Sequence, residues 1–477
     1  MTVDRQTVAS ALTRILGEDG VLSSPSDLHA YDKAARYSGG AAALVLRPRT
    51  TKEVSQAVAY AVSHGLCLIP QGGNTGLVGG STADASGEQI VLSLERMSAL
   101  TVDAVNRSVR AQAGARLSAV NRALEPQALF LPIDLGADPS VGGMAATNAA
   151  GARYIRYGDM RRQVLGLQAV LGDSRGTIVE LRRGLRKDNT GLDLRQLFIG
   201  SGGALGVITE VEFEVHARPR QAAAALVVLD GFEPALALLR HLEEHAGEML
   251  AAFEGMSRNA VTAALEHVPG LRDPFSSTKA GFVVLIEVCT ATPSAALDLP
   301  ALLQGWLGAL IETGLDGVLD ILVGAPERMW ALRHALSEGL RAKGRVIGFD
   351  LAFRRSDLAG FRRAALRRLS REFAEFAVCD FGHIGDGGLH FNLVCGGELE
   401  VPPVRVKALR DCVYALADEF GGSFSGEHGI GRENWAYYRS LTPANVQDLA
   451  GRVQTAIAEG PIGAVQFLCE PQTTRHS

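Results

Sequence analysis

Pro70-Gln-Gly-Gly-Asn-Thr-Gly-Leu-Val-Gly-Gly-Ser81 directly follows the short apolar run Cys67-Leu-Ile, and its reading decides the fold. Five glycines among small polar side chains let the backbone take positive φ and approach a ligand closely. Successive N–H groups in such a loop form a concave nest suited to an anion of pyrophosphate size. A flexible surface turn is the competing reading of this loop alone. A second loop weighs against it: Pro132-Ile-Asp-Leu-Gly-Ala-Asp-Pro-Ser-Val-Gly-Gly-Met-Ala-Ala-Thr-Asn-Ala-Ala-Gly151 repeats the composition. A third glycine run, Gly200-Ser-Gly-Gly-Ala-Leu-Gly206, precedes Val207-Ile-Thr-Glu-Val-Glu-Phe-Glu-Val215, which alternates with period two. That pattern predicts a strand, whereas a dinucleotide fingerprint must open a helix.

Around these loops, β-rich runs are expected at Ala43–Leu46, Cys67–Ile69, Ile90–Leu94, Ser108–Ala113, Val164–Leu171 and Val207–Val215. Thr51–Ser63 is expected as a helix, with Thr50 and Glu53 at capping-box spacing and Val54, Ala57, Val58, Ala61 and Val62 on one face. After His216-Ala-Arg-Pro-Arg220 the texture changes to helices such as Ala235–Ala246 and strands such as Phe282–Val288. A domain boundary is placed near 218, giving residues 1–218 and 219–477 in an α+β protein.

The chain's 477 residues and 47% apolar content suit two or three domains able to bury a large cofactor. The net charge of -5, with no basic run, argues against nucleic acid as a partner. Cysteines 67, 289, 379, 395, 412 and 469 show no C-x-x-C pair and no disulfide framework, which fits a reducing compartment. No secretion signal or membrane span is read, so the cytoplasm is expected, with peripheral membrane contact left open.

Two late loops carry imidazoles. Phe381-Gly-His-Ile-Gly-Asp-Gly-Gly-Leu-His-Phe-Asn392 is expected to run strand-turn-strand, bringing His383 and His390 together, and Ser425-Gly-Glu-His-Gly-Ile-Gly431 adds a carboxylate and an imidazole. Two histidines and a carboxylate satisfy three positions of a zinc or manganese site and leave one open for substrate. A histidine alone in such a loop is more often solvated or hydrogen-bonded; the cluster carries the reading.

Residues 40–215 resemble the FAD-binding domain shared by vanillyl-alcohol oxidase, the p-cresol methylhydroxylase flavoprotein and the D-2-hydroxyacid dehydrogenases. The resemblance implies a two-subdomain FAD-binding domain followed by an α+β substrate domain. It assigns FAD to Pro70, Gln71, Gly72, Gly73, Asn74, Thr75, Gly76, Leu77 and Ser81 in the first loop. Pro132, Gly136, Ser140, Gly142, Gly143, Thr147 and Gly151 follow from the second, with Val207, Ile208 and Asn434 elsewhere. Asn74 stands where covalent family members carry a flavin-linked histidine, so dissociable FAD is expected.

The late loops are similar to the G-H-x-G-D-G-N-L-H-x-N and E-H-G-I-G motifs of D-lactate and D-2-hydroxyglutarate dehydrogenases. By that resemblance His383, His390 and Glu427 are metal ligands, with zinc expected and manganese the alternative. Asn392 contacts substrate and His428 is the acid–base. Arg333, in Trp330-Ala-Leu-Arg-His-Ala-Leu-Ser337, binds the substrate carboxylate, with Ser337 one turn later near the substrate. The implied reaction oxidises a small D-2-hydroxy acid: a metal acidifies the 2-hydroxyl, His428 takes its proton, and hydride passes from C2 to flavin N5. Electrons then go to a quinone or a protein acceptor, and a homodimer is the default assembly. Two readings compete: a metal-independent FAD oxidase of another alcohol, and a flavin-binding subunit of a glycolate-oxidase-like complex, against which the open metal set argues.

The chain departs from the family pattern at Gly348, where 2-hydroxyglutarate enzymes carry a lysine. It departs again at Gly388, at Asn434, and in the ending Pro461-Ile-Gly-Ala-Val-Gln-Phe-Leu-Cys469. The lost lysine weakens 2-hydroxyglutarate as the substrate, although Arg354 and Arg355 are close in sequence.

Overall fold

The computed structural model describes residues 4–467, apart from 35, 37–38, 182–183, 276–278 and 398–399. It is an α+β fold of two compact units. The first contains the described residues up to Ala149, Asp159–Ala217 and those from Glu427 onward; the second contains Ala150–Gly158 and Arg218–Gly426.

In the first unit, strands Leu44–Leu46, Ile90–Ser93 and Leu68–Gln71 lie parallel in a four-stranded sheet whose fourth strand, Val21–Leu22, is antiparallel. Parallel strands are buried on both faces and read as continuous apolar runs, as Leu44-Val-Leu46 and Ile90-Val-Leu92 do. A second, five-stranded antiparallel sheet contains Ser108–Gln112, Gly206–Glu214 and Val164–Leu171. The glycine run at 200–206 thus opens a strand, as its period-two continuation predicts.

Helix Thr51–Ser63 buries Val54, Ala57, Val58 and Ala61 in the core between the parallel strands and the second sheet, with Val62 at its margin. Thr50 Oγ1 accepts the Glu53 amide at 3.2 Å, but the Glu53 carboxylate returns to the Arg49 amide (2.6 Å), one residue upstream of the box position. Thr50→Ala is expected to cost about 1 kcal/mol, read as a lower urea midpoint with unchanged flavin binding. An unchanged midpoint means the cap contributes nothing to stability.

The sequence places one boundary near 218; the structure divides the chain there and at three further points. Residues 150–158 join the second unit because Arg153 pairs with the buried Glu287, and the Arg156 guanidinium meets the Cys289 sulfur (3.0 Å). The tail rejoins the first unit because helix Ala444–Ile457 lays Val453 and Ile457 against that unit's core, while Ala458 and Ile462 are buried beside Leu68. The unusual ending is therefore packing material as far as Phe467, whose amide donates to Gln454 Oε1 (2.6 Å). Leu468 and Cys469 lie outside the described residues. The other five cysteines are free thiols.

The second unit is built on an eight-stranded antiparallel sheet. Its neighbouring strands Leu250–Ser257, Phe381–Gly382, Gly388–Gly396 and Gly344–Ala352 carry the late imidazoles and their partners. Helix Pro326–Lys343 packs over this sheet through Trp330, Leu332 and Leu336. It crosses helix Arg258–His267 at Gly339, where a Cβ would lie 2.5 Å from the Ala264 Cα.

Candidate active site

The glycine loop is held from both ends. Buried Gln71 donates its side-chain amide to the carbonyls of Tyr31 (2.9 Å) and Ser81 (2.7 Å). Asn74 sits at φ 52, accepts from Ser81 Oγ (2.8 Å) and donates to the Lys33 carbonyl (2.6 Å), so its amide closes the loop. The backbone amides of Thr75, Gly76, Leu77 and Val78 make no hydrogen bond among the described residues. Successive undirected N–H groups at a glycine turn are the feature a pyrophosphate requires.

Ser140 ties the two glycine loops together. Its Oγ accepts from the Gly73 amide (3.1 Å) and from Gly143, where it caps helix Val141–Thr147. Gly72 and Gly142 permit close approach: a Cβ on Gly72 would lie 2.0 Å from Ser140 Oγ, and one on Gly142 2.4 Å from the Ala113 Cβ. Pro132 is buried, Gly136 is exposed, and the Thr147 hydroxyl turns back to the Gly143 carbonyl. Val207 and Ile208 place their side chains in two separate cores, so any cofactor contact from them falls to the backbone. Gly151 belongs to the segment that joins the second unit.

Sequence reasoning missed Arg432. Its guanidinium donates to the carbonyls of Gly79 (2.8 Å) and Thr82 (2.5 Å) and to Gln89 Oε1 (3.0 Å), clamping the exit of the glycine loop. Burial lowers its pKa, against the pull of Asp84 and Cys67. Asn434, two residues on, is buried with Nδ2 on the Gly429 carbonyl (3.2 Å).

In the second unit, the late loop folds as the strand-turn-strand its glycines predict. Phe381 pairs with His390, and the amides of Asp386 and Gly388 both donate to the His383 carbonyl. Gly387 takes φ 97 at the reversal. The Gly385 amide reaches the Phe253 carbonyl, pinning the turn to strand Leu250–Ser257. The rings of His383 and His390 thereby come to 5.2 Å between centroids. Asn392, two residues after His390, is buried on the same face and lies opposite Gly348 in the register, with Nδ2 on the His390 carbonyl.

Each histidine faces a carboxylate through Nδ1. Glu254 Oε1 lies 2.5 Å from His383 Nδ1, and Asp350 Oδ1 lies 3.8 Å from His390 Nδ1. Arg333 directs its Nε to the other Glu254 oxygen (2.8 Å), with its guanidinium 4.7 Å above the Phe381 ring. Burial alone would raise the Glu254 carboxyl, but the charges of His383 and Arg333 overcome it and hold the pKa at about 2. Ser337 is exposed on the same helix.

Glu254 and Glu287 were also missed, although each carried a signal. Each is a carboxylate inside a strand that is otherwise apolar and buried, a place where a charge must be paired. Glu287 receives Arg153 and the Trp330 indole. Gly426 donates its amide to the Asp350 carbonyl (3.0 Å), and Glu427 and His428 are the next two residues of the chain. Among the described residues of the second unit, the candidate metal donors are Asp350, His383 and His390.

Residues 42–182 match a family described as an FAD binding domain, and residues 218–450 match the C-terminal domain of FAD linked oxidases. A relative from Bos taurus named D-2-hydroxyglutarate dehydrogenase, mitochondrial, is 38% identical over 404 residues, covering 82% of this chain and 70% of its own. The chain belongs to the FAD-linked 2-hydroxyacid dehydrogenase family. A bacterial member from Xanthomonas citri pv. viticola, named D-2-hydroxyglutarate dehydrogenase, is 34% identical over 435 residues, covering 88% of each chain. The fold is also that of p-cresol methylhydroxylase solved with substrate bound, with a TM-score of 0.71, 15% identity, and coverage of 95% of this chain and 94% of that one. This flavoenzyme is therefore an FAD-dependent oxidoreductase, as the family resemblance of its sequence implied. Among its described residues, no helix is long and apolar enough to cross a membrane. The bovine relative's name places that protein in the mitochondrion; the expectation of a cytoplasmic location here rests on the sequence alone.

Proposed function

We propose that this flavoenzyme oxidises a small D-2-hydroxy carboxylic acid to the 2-oxo acid, using dissociable FAD and a divalent metal held by His383, His390 and Glu427. The observation that carries the reading is the adjacency of two imidazoles, one of which, His383, places Nδ1 on the buried Glu254 carboxylate at 2.5 Å. A carboxylate on Nδ1 fixes the tautomer and turns Nε2 toward a ligand, the arrangement that orients metal-binding histidines. Two imidazole nitrogens and a carboxylate suit zinc first and manganese second.

Bound FAD supplies the acceptor for hydride from C2, and a bound metal supplies acidification of the 2-hydroxyl. His428 takes the hydroxyl proton, so that hydride and proton leave the substrate as two electrons and two hydrogens. Arg333 pairs with the substrate carboxylate through its terminal nitrogens, since its Nε is committed to Glu254. Asn392 orients the substrate from the strand next to Gly348, and Ser337 borders the same helix face. The first loop, Pro70–Leu77 with Ser81, cradles the FAD pyrophosphate. Pro132, Gly136, Ser140, Gly142, Gly143, Thr147, Gly151, Val207, Ile208 and Asn434 complete the cofactor set. Asn74 provides no imidazole for a covalent bond, and both ends of its amide are already used in the loop.

Anaerobic flavin bleaching by a panel of D- and L-2-hydroxy acids, before and after chelation, tests the reading. Rapid bleaching by one D-acid, lost on chelation and restored by zinc or manganese, is expected. Bleaching that survives complete metal removal points to a metal-independent FAD oxidase. A yellow protein that no hydroxy acid bleaches overturns the substrate class.

A further inference from the structure

Glu254 takes no part in the proton or hydride transfer above, yet it holds two of the participants at once. Its carboxylate is fully buried in strand Leu250–Ser257 and uses one oxygen for each neighbour, Oε1 for His383 Nδ1 and Oε2 for Arg333 Nε. The strand is fixed to the histidine loop from two sides, by the Gly255–Gly382 pairing and by the Gly385 amide on the Phe253 carbonyl. Helix Pro326–Lys343, which carries Arg333, is anchored a turn earlier by the Trp330 indole on Glu287 (2.5 Å). The carboxylate therefore sits between two elements that are each held independently, and its two oxygens set the orientation of one side chain on each.

We infer that Glu254 is a positioning residue that couples the metal-facing imidazole of His383 to the carboxylate-binding guanidinium of Arg333, fixing the distance between metal and substrate carboxylate. The inference rests on the metal and substrate reading above. The geometry gives it a specific form. Accepting from Nδ1 makes Nε2 the ligand nitrogen of His383 and raises its basicity. Accepting from Nε holds the planar guanidinium by that edge and leaves its far end for a substrate carboxylate, and the Phe381 ring beneath the guanidinium limits its rotation. One buried carboxylate thus links where the metal sits to where C1 of the substrate is held, and a 2-hydroxy acid spans those points through the C1–C2 bond.

A merely structural carboxylate in the same sheet is available for comparison. Glu287 is equally buried on the neighbouring strand and pairs with Arg153 and Trp330, with no bond to either histidine. Glu254→Gln and Glu287→Gln are compared in the FAD-loaded, full-length protein for thermal midpoint, zinc affinity by competition with a chromophoric chelator, and steady-state KM and kcat.

Glu254→Gln is expected to weaken zinc binding by about 10–100-fold and to raise KM for the acid by about tenfold or more. Glu287→Gln is expected to lower the midpoint comparably while leaving zinc affinity within about twofold. Glu254→Asp keeps the buried charge on a side chain one methylene shorter, which cannot reach both partners. It supplies a second folded variant, expected to lose either zinc affinity or KM but to retain more of the midpoint.

The inference is overturned if both Glu254 variants bind zinc as the parent does, or if Glu287→Gln loses zinc affinity to the same degree. A parent protein that binds no metal yet is reduced by the acid removes the metal reading and this inference together. A parent that binds metal and turns over, with unaffected Glu254 variants, removes this inference alone.

Discussion

His390→Ala is expected to lower the rate of flavin reduction by a D-2-hydroxy acid by roughly a thousandfold, equivalent to about 4 kcal/mol of lost transition-state stabilisation. The reason is local: the side chain carries one of two adjacent imidazoles and its backbone belongs to a paired strand, so removing the ring deletes a proposed metal ligand without deleting the scaffold. His390 is also a safer probe than His383. The latter is the partner of a fully buried carboxylate, and its loss leaves Glu254 with Arg333 alone. Stopped-flow reduction under anaerobic conditions, with flavin stoichiometry and metal content measured on the same sample, reads the effect. A rate within about tenfold of the parent, with metal content at the parent level, contradicts a ligand role for His390.

Gly72→Val is expected to weaken FAD binding by about 10²–10⁴-fold. The new Cβ falls 2.0 Å from Ser140 Oγ and 3.1 Å from its Cβ, so Ser140 must leave the position from which it holds Gly73 and Gly143. Two lost hydrogen bonds account for about 2 kcal/mol, and the overpacking adds about 1–3 kcal/mol. Ser140→Ala removes the same bonds without the clash and is expected to weaken binding by about 30-fold. Fluorescence titration of the deflavinated proteins with FAD gives both constants. If Gly72→Val binds FAD no more weakly than Ser140→Ala, the close approach of the two loops does not govern the cofactor site.

The order of these effects follows from a division of labour between the two units. In the first, glycines and one serine shape backbone for an anion, so its substitutions are read in cofactor affinity. In the second, the buried Glu254 orients one imidazole and a guanidinium, so on the proposed function its substitutions are read in metal binding and rate. The half-buried Arg432 clamps the glycine loop from the segment that immediately follows Glu427 and His428.

The sequence by itself determined the local structure with small errors at the ends. Helix Thr51–Ser63 and strand Val164–Leu171 carry the limits their periodicity assigns. Strand Gly206–Glu214 begins one residue earlier than the alternating run suggested. The histidine hairpin was legible because glycine is the cheapest residue at a reversal, and Gly387 takes the positive φ there. These features depend on near neighbours in the chain, which is why one sequence suffices to read them.

Only the tertiary structure decided which glycines are sterically obligatory. Gly72 and Gly136 stand in similar loops, yet a Cβ meets Ser140 at the first and nothing within 4 Å at the second. It also decided the return of the tail to the first unit, the transfer of residues 150–158 to the second, and the pairing of Glu254 with His383 across 129 positions. A buried charge in an apolar strand announces that it needs a partner, but the partner's identity is set by which strands become neighbours. That choice comes from long-range packing, where the free energy of burying whole faces outweighs any local preference.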